Sequence, residues 1–109
     1  MADTYKILGQ SNPAAATSTD AYTVPSSTSA VISTIVVCNR SGTYTTFRIS
    51  VAVAGAALSN EQYLAYDVNI AGNQTVILPL GITLATTDKV RVYATLATLS
   101  FNIFGDQIT

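Results

Sequence analysis

Few residues of this chain could do covalent chemistry. Cys38 is the single cysteine and no histidine occurs among the 109 residues, so the thiol has no imidazole to activate it and no second thiol for an intrachain disulfide. It lies within the apolar run Ala30 to Asn39, where a cysteine is expected to be a buried packing residue. The carboxylates Glu61, Asp67, Asp88 and Asp106 sit in separate segments, without the spacing of a calcium loop or a glycosidase pair. Catalysis, metal binding and bound cofactors are therefore not expected. Asn39-Arg40-Ser41 and Asn73-Gln74-Thr75 have the form of glycosylation acceptors. The chain start has no basic, greasy export signal, so their amides are expected to cap turns.

Tyrosines and one polar stretch are the remaining candidates for contact with other molecules. Tyr44, Tyr63, Tyr66 and Tyr93 could offer flat rings to the apolar faces of sugars, with Tyr63 as anchor beside the loops Gly55 to Gln62 and Thr86 to Lys89, and Tyr93 as a second contact. Against this stands ordinary packing, with Tyr66 turned inward and the others filling cross-strand pairs. Gly9 to Asp20 is polar and small, interrupted by Pro13, and reads as a loop or arm. Gln10, Ser11, Asn12, Pro13, Thr17 and Thr19 could reach a neighbouring subunit from it, or pack on their own domain.

The elements that must position these residues read as strands throughout. Alternation with a repeat of two runs through Thr4 to Leu8, Ala21 to Val24, Ala30 to Asn39 and Tyr44 to Val53, and resumes in Tyr63 to Ile70, Gln74 to Leu80, Lys89 to Thr95 and Thr98 to Phe104. No segment has helical spacing. Ala30 to Asn39 is expected to be central and covered on both sides, with Ile32, Val36 and Cys38 on one face and Val31, Ile35 and Val37 on the other. Arg40-Ser41-Gly42-Thr43 predicts a tight hairpin to the next strand, where Phe47, Ile49, Val51 and Val53 line the inner face. Leu64, Tyr66, Val68 and Ile70 are expected inward in their strand, as are Val90, Val92 and Ala94, and Leu99, Phe101 and Ile103 in theirs. Pro79 pushes its strand to an edge, Gly81 marks a bend and Gly105 ends the last strand. Seven or eight short strands in one domain of 109 residues predict an all-β antiparallel sandwich or jelly roll.

Charged residues are 10% of the chain, five basic against six acidic. An ordinary domain carries about 25%. That composition gives no basic footprint for nucleic acid, and no apolar run suits a membrane span. The chain is read as soluble and non-exported, with a surface either covered by other proteins, including copies of itself, or merely rich in threonine.

The run Tyr22-Thr23-Val24-Pro25, then Ile35-Val36-Val37-Cys38-Asn39-Arg40-Ser41 and Tyr66-Asp67-Val68, resembles small virion structural proteins of tailed bacteriophages. Gly81-Ile82-Thr83-Leu84, Asp88-Lys89-Val90-Arg91-Val92-Tyr93 and Phe101-Asn102-Ile103-Phe104-Gly105 fit the same pattern, so the likeness spans Tyr22 to Ile108. It implies a non-enzymatic β-domain that works in a virion assembled in the host cytoplasm, and it carries over no catalytic residue. The function expected first is a capsid decoration or cement protein bridging neighbouring virion subunits. A tail, baseplate or fibre-attachment protein and a glycan-binding module are the alternatives.

Overall fold

A computed structural model of the chain, describing residues 2–109, shows a long hairpin of paired segments rolled into two sheets. The first half of the chain contributes β1 (Asp3–Ser11), β2 (Thr19–Thr23), β3 (Ser29–Asn39) and β4 (Thr45–Ala52). The second half returns as β5 (Tyr63–Ile70), β6 (Thr75–Leu78), β7 (Ile82–Leu84), β8 (Lys89–Ala94) and β9 (Leu99–Ile108). Pairing is nested and antiparallel: β4 with β5, β3 with β6 and β7, β2 with β8, β1 with β9. Rolling this hairpin adds the pairs β3 with β9 and β4 with β8. The result is one sheet in the order β1-β9-β3-β6, with β7 continuing along β3, and a second in the order β2-β8-β4-β5. This is a β-sandwich with the connectivity of a jelly roll. It has nine strands because Pro79 and Gly81 split one edge strand into β6 and β7.

Between the sheets lies one apolar core. Phe47 of one sheet meets Phe101 of the other edge to face, with ring centroids 6.1 Å apart. Ile32, Ile35, Val37, Ile49, Val90, Val92, Leu99 and Ile103 close around them without solvent contact. The expected inward faces of β8 and of the first half of β9 are the observed ones.

Several local expectations are corrected. In β3, a register shift between Ile32 and Thr34 inserts one extra residue, which flips the phase of alternation. Ala30 and Ile32, then Ile35 and Val37, face the core, while Val31, Val36 and Cys38 lie on the opposite side. That side is not fully covered: Val31 is exposed, and Cys38 is free and only half-buried. In β5 a similar bulge at Asp67, whose φ is +50°, turns Ala65 toward the core and leaves Leu64 and Tyr66 exposed. Val53 has likewise left the inner face of β4 for an exposed 3-10 turn.

Residues 40–43 do not form a hairpin. They carry the chain from β3 in one sheet to β4 in the other, and Gly42 has no positive φ. The arch is held by Asn39, which is buried. Its Nδ2 donates to the carbonyls of Thr43 (2.9 Å) and Ala71 (3.2 Å), and its Oδ1 accepts from the Ser41 amide (3.1 Å). Gly72 lets the Ala71 turn close on this arch, because a Cβ there would stand 2.1 Å from the Gly42 carbonyl oxygen.

At the termini the strands are longer than their composition suggests. Gly105 does not end β9: its missing side chain lets the Val31 carbonyl approach, and the strand continues to Ile108 between β1 and β3. Residues 9–11 belong to β1, and Thr19 and Asp20 to β2, so the expected arm at 9–20 shrinks to a loop at 12–18. Backbone pairing with β9 and β8 outweighs the weak local propensity of these segments.

Replacing Asn39 with Ala removes the three hydrogen bonds that hold this arch, each contributing about 0.5–1.5 kcal/mol. We expect the Asn39→Ala protein to lose at least about 2 kcal/mol in urea denaturation. Cys38→Ala, one residue away on the half-exposed side, should change stability by less than about 1 kcal/mol.

Candidate functional site

The outer face of the sheet β2-β8-β4-β5 gathers most of the side chains that can make polar contacts. Register builds it row by row. Arg48 stands opposite Tyr93, and Ser50 opposite both Arg91 of β8 and Tyr63 of β5. Asp20 of β2 lies opposite Arg91. Arg48 and Ser50 of β4 and Arg91 and Tyr93 of β8 alternate with inward apolar neighbours, so the pattern that fills the core also places them outside.

Arg48 is the centre of the array. Its guanidinium lies 4.3 Å from the ring centroid of Tyr66 and 4.4 Å from that of Tyr93. Its Nε and Nη2 donate to the two oxygens of Asp67, at 2.7 and 3.4 Å. The Asp67 hydrogen bond and charge hold the guanidinium more firmly protonated than usual, against a smaller cost of burial. Tyr63 packs edge-on against Tyr66, with centroids 4.8 Å apart at 82°. Arg91 donates through Nε to Asp20 (3.1 Å) and through its remaining nitrogens to the carbonyls of Ala56 (2.8 Å) and Gly55 (3.2 Å). Lys89 shares Asp20 at 2.8 Å. The Lys89 hydrogen bond is the largest influence holding the Asp20 carboxyl below its ordinary range, partly opposed by desolvation and reinforced by Arg91.

Between these groups is a cavity of about 250 Å³ lined by Arg48, Ser50, Tyr63, Arg91 and Tyr93, with Leu58, Ala16 and Ser18 at its sides. The structure thus brings Tyr63 and Tyr93 together. Tyr63 is half-buried, so it is a wall of the cavity and no free-standing anchor. Tyr66 is turned outward, and Tyr44 stays apart, donating to Asn69 at 3.0 Å. The loop Gly55 to Gln62 supplies Leu58 and two carbonyls. Thr86 to Lys89 does not line the cavity; there Asp88 accepts from the amides of Ala54 (2.8 Å) and Ala85 (2.9 Å). Arg48 and Ser50 were missed in the sequence, although both lie on the polar side of an alternating strand beside Phe47 and Ile49.

The arm residues are held by their own domain. Gln10 donates to Asn102 (2.8 Å), Asn12 accepts from Arg40 (2.9 Å), and Thr17 donates to the Ala15 carbonyl (3.0 Å). Pro13 is buried, Ser11 pairs with Phe101 and Thr19 with Val92. The loop runs beside β8, where the Ala16 amide donates to the Ala94 carbonyl, and this places Ala16 and Ser18 at the cavity.

The outer face of the other sheet is chemically different. Tyr5, Asp106 and Val31 form one row across β1, β9 and β3; Ile7 and Phe104 form the next, and Val36 pairs with Ile77 further along. Tyr5 is 80% exposed, Ile77 64% and Ile7 52%. Between the first two rows runs an open groove of about 660 Å³ whose walls also include Lys6 and Ser33. Asp106 Oδ1 is shut off from solvent there without a hydrogen-bond partner among the described residues. Among those residues, no three acidic or thiol groups converge as a metal site, and no helix is long and apolar enough to cross a membrane.

The sequence matches no family model, and neither curated proteins nor solved structures give a significant match to it.

The depressed Asp20 carboxyl yields a pH test with a definite sign. Its contribution to stability is present above the ordinary aspartate range and is lost as pH falls through its lower folded value. For a carboxylate this exposed the contribution is roughly 0–1 kcal/mol after solvent screening. We therefore expect Asp20→Asn to be slightly less stable than the parent at pH 7 and equal to it near pH 2. A carbon-detected NMR titration should place Asp20 below an unfolded aspartate, and a midpoint above it would contradict the geometry.

Proposed function

We propose that the chain is a non-enzymatic structural subunit of a bacteriophage virion, a capsid decoration or cement protein that bridges neighbouring subunits. The observation that carries this reading is the apolar outer face of β1-β9-β3-β6, where Tyr5, Ile7, Val31 and Ile77 stand exposed on a single sheet. Exposed apolar side chains gathered on one face of a folded protein favour contact with other proteins. The small share of charged residues and the likeness of the strand-and-turn segments to tailed-phage virion proteins point the same way.

The two edges of this sheet are unequal. The β6 and β7 edge is interrupted by Pro79, which has no amide hydrogen to offer a further strand. The β1 edge has no proline and carries Tyr5 and Ile7. A neighbouring virion protein docks there, adding main-chain hydrogen bonds along β1 while it covers the apolar side chains. Burying Tyr5 and Ile7 contributes about 1.5–3 kcal/mol each, enough together for an affinity change of a hundredfold or more.

The double variant Tyr5→Ser/Ile7→Asp alters exposed positions, so it should fold with a near-parental melting temperature. On particles assembled without this protein, its occupancy should fall at least tenfold below that of the parent chain. Equal occupancy would overturn the proposed docking face. Particles lacking the chain should also disassemble at lower temperature than complete ones, and unchanged particle stability would end the cement role. Density for the chain on the tail instead of the capsid would move it to a tail or baseplate position.

A further inference from the structure

The cavity on the opposite sheet has features that capsid docking does not need. Ser50 is 3% exposed and lines the cavity, which sets a hydroxyl in its wall. A hydroxyl in a cavity wall can donate to or accept from a ligand atom. Arg48 has an unused group: Asp67 occupies Nε and Nη2, leaving Nη1 free.

We propose that this cavity binds a single uncharged pyranose, one sugar residue of a glycan. Size limits the ligand first, since about 250 Å³ is less than the roughly 300–1,000 Å³ of sites for drug-sized molecules and suits one ring. Charge limits it next. Both cavity arginines already have carboxylate partners, Asp67 for Arg48 and Asp20 for Arg91. Arg48, the arginine with a free nitrogen, is matched one to one by Asp67, which favours hydroxyl oxygens over a carboxylate, sulfate or phosphate at that donor. Shape limits it last. Tyr63 and Tyr93 give apolar ring surface for the C–H side of a pyranose, and both are braced before any ligand arrives. Tyr63 is held edge-on by Tyr66, and Tyr93 is stacked on Arg48. Such pre-organisation lowers the ordering cost of binding. A nucleobase could use the same rings, but the basic side chains of this face, Arg48, Lys89 and Arg91, are already engaged by Asp67 and Asp20, which leaves none free for a phosphate backbone.

This inference stands independently of the virion reading. Saturation-transfer NMR on the full chain would use the methyl glycosides of glucose, galactose, mannose and N-acetylglucosamine, with sialic acid and a mononucleotide as charged comparators. At least one neutral glycoside should receive saturation on its ring C–H protons, with an affinity unchanged by added salt. Ser50→Ala removes only a hydroxyl from the cavity wall, so binding should weaken at least tenfold while the melting curve stays near that of the parent. Tyr63→Ala should weaken binding by a similar factor or more, with the melting curve reporting any loss of fold. Transfer to none of the neutral glycosides would overturn the proposal. So would transfer undiminished in Ser50→Ala, or transfer confined to sialic acid or the mononucleotide.

Discussion

The ladder between β3 and β9 is the interaction on which the rest of the fold depends. It runs from Ser29 opposite Ile108 to Asn39 opposite Leu99, joining segments from the two halves of the chain. On its inner side it presents Ile32, Ile35, Val37, Leu99, Phe101 and Ile103, all fully buried. The second sheet meets this surface with Phe47, Ile49, Val90 and Val92. Without that ladder, β1 would have no sheet to join and β6 and β7 would edge a lone strand. Closing so long a loop costs entropy that grows only with the logarithm of its length, so once the two halves meet, the nested pairs outside and inside them follow at little further cost.

Two bulges decide what the outer faces carry. In β3 the extra residue near Ser33 puts Val31 and Val36 on the same outer side despite their odd spacing, which extends the apolar face from Tyr5 to Ile77. In β5 the left-handed turn at Asp67 aims Tyr66 outward over Arg48 and lets the Asp67 carboxylate reach the same guanidinium. An aspartate tolerates that conformation better than most residues. The apolar face and the tyrosine–arginine array are thus consequences of register, fixed by the same alternation that fills the core.

Register also explains how much could be read from the sequence. Where a strand is unbroken, as in Val90, Val92 and Ala94 or Leu99, Phe101 and Ile103, alternation names the inward residues correctly. It fails for Val36, Cys38, Leu64 and Tyr66, because each lies in a strand whose phase a bulge resets. The turn at 40–43 has the composition of a hairpin, yet its partners are chosen by distant strands and by the Asn39 side chain, neither of which local spacing reports. For the cavity, Tyr63 and Tyr93 were legible as aromatics on outward positions. Arg48 and Ser50 were visible as the polar side of their strand, but only the β4 pairings with β8 and β5 show that they share a site with the tyrosines.

The low charge content takes on a more specific meaning once the faces are separated. Three of the five basic residues, Arg48, Lys89 and Arg91, lie on the outer face of β2-β8-β4-β5, paired there with Asp20 and Asp67. That face stays wetted, with three basic side chains against two carboxylates. The face across the sandwich offers water Tyr5, Ile7, Val31 and Ile77 instead, with Lys6 and Asp106 as the charged residues lining its groove. Ten per cent of charged residues spread evenly would leave every surface weakly protected. Concentrated as they are, they leave one face able to remain in solvent and the other most stable when a protein covers it. The asymmetry gives the two faces different preferences: a protein partner would be favoured on the apolar sheet, while the sheet bearing the cavity can remain in solvent.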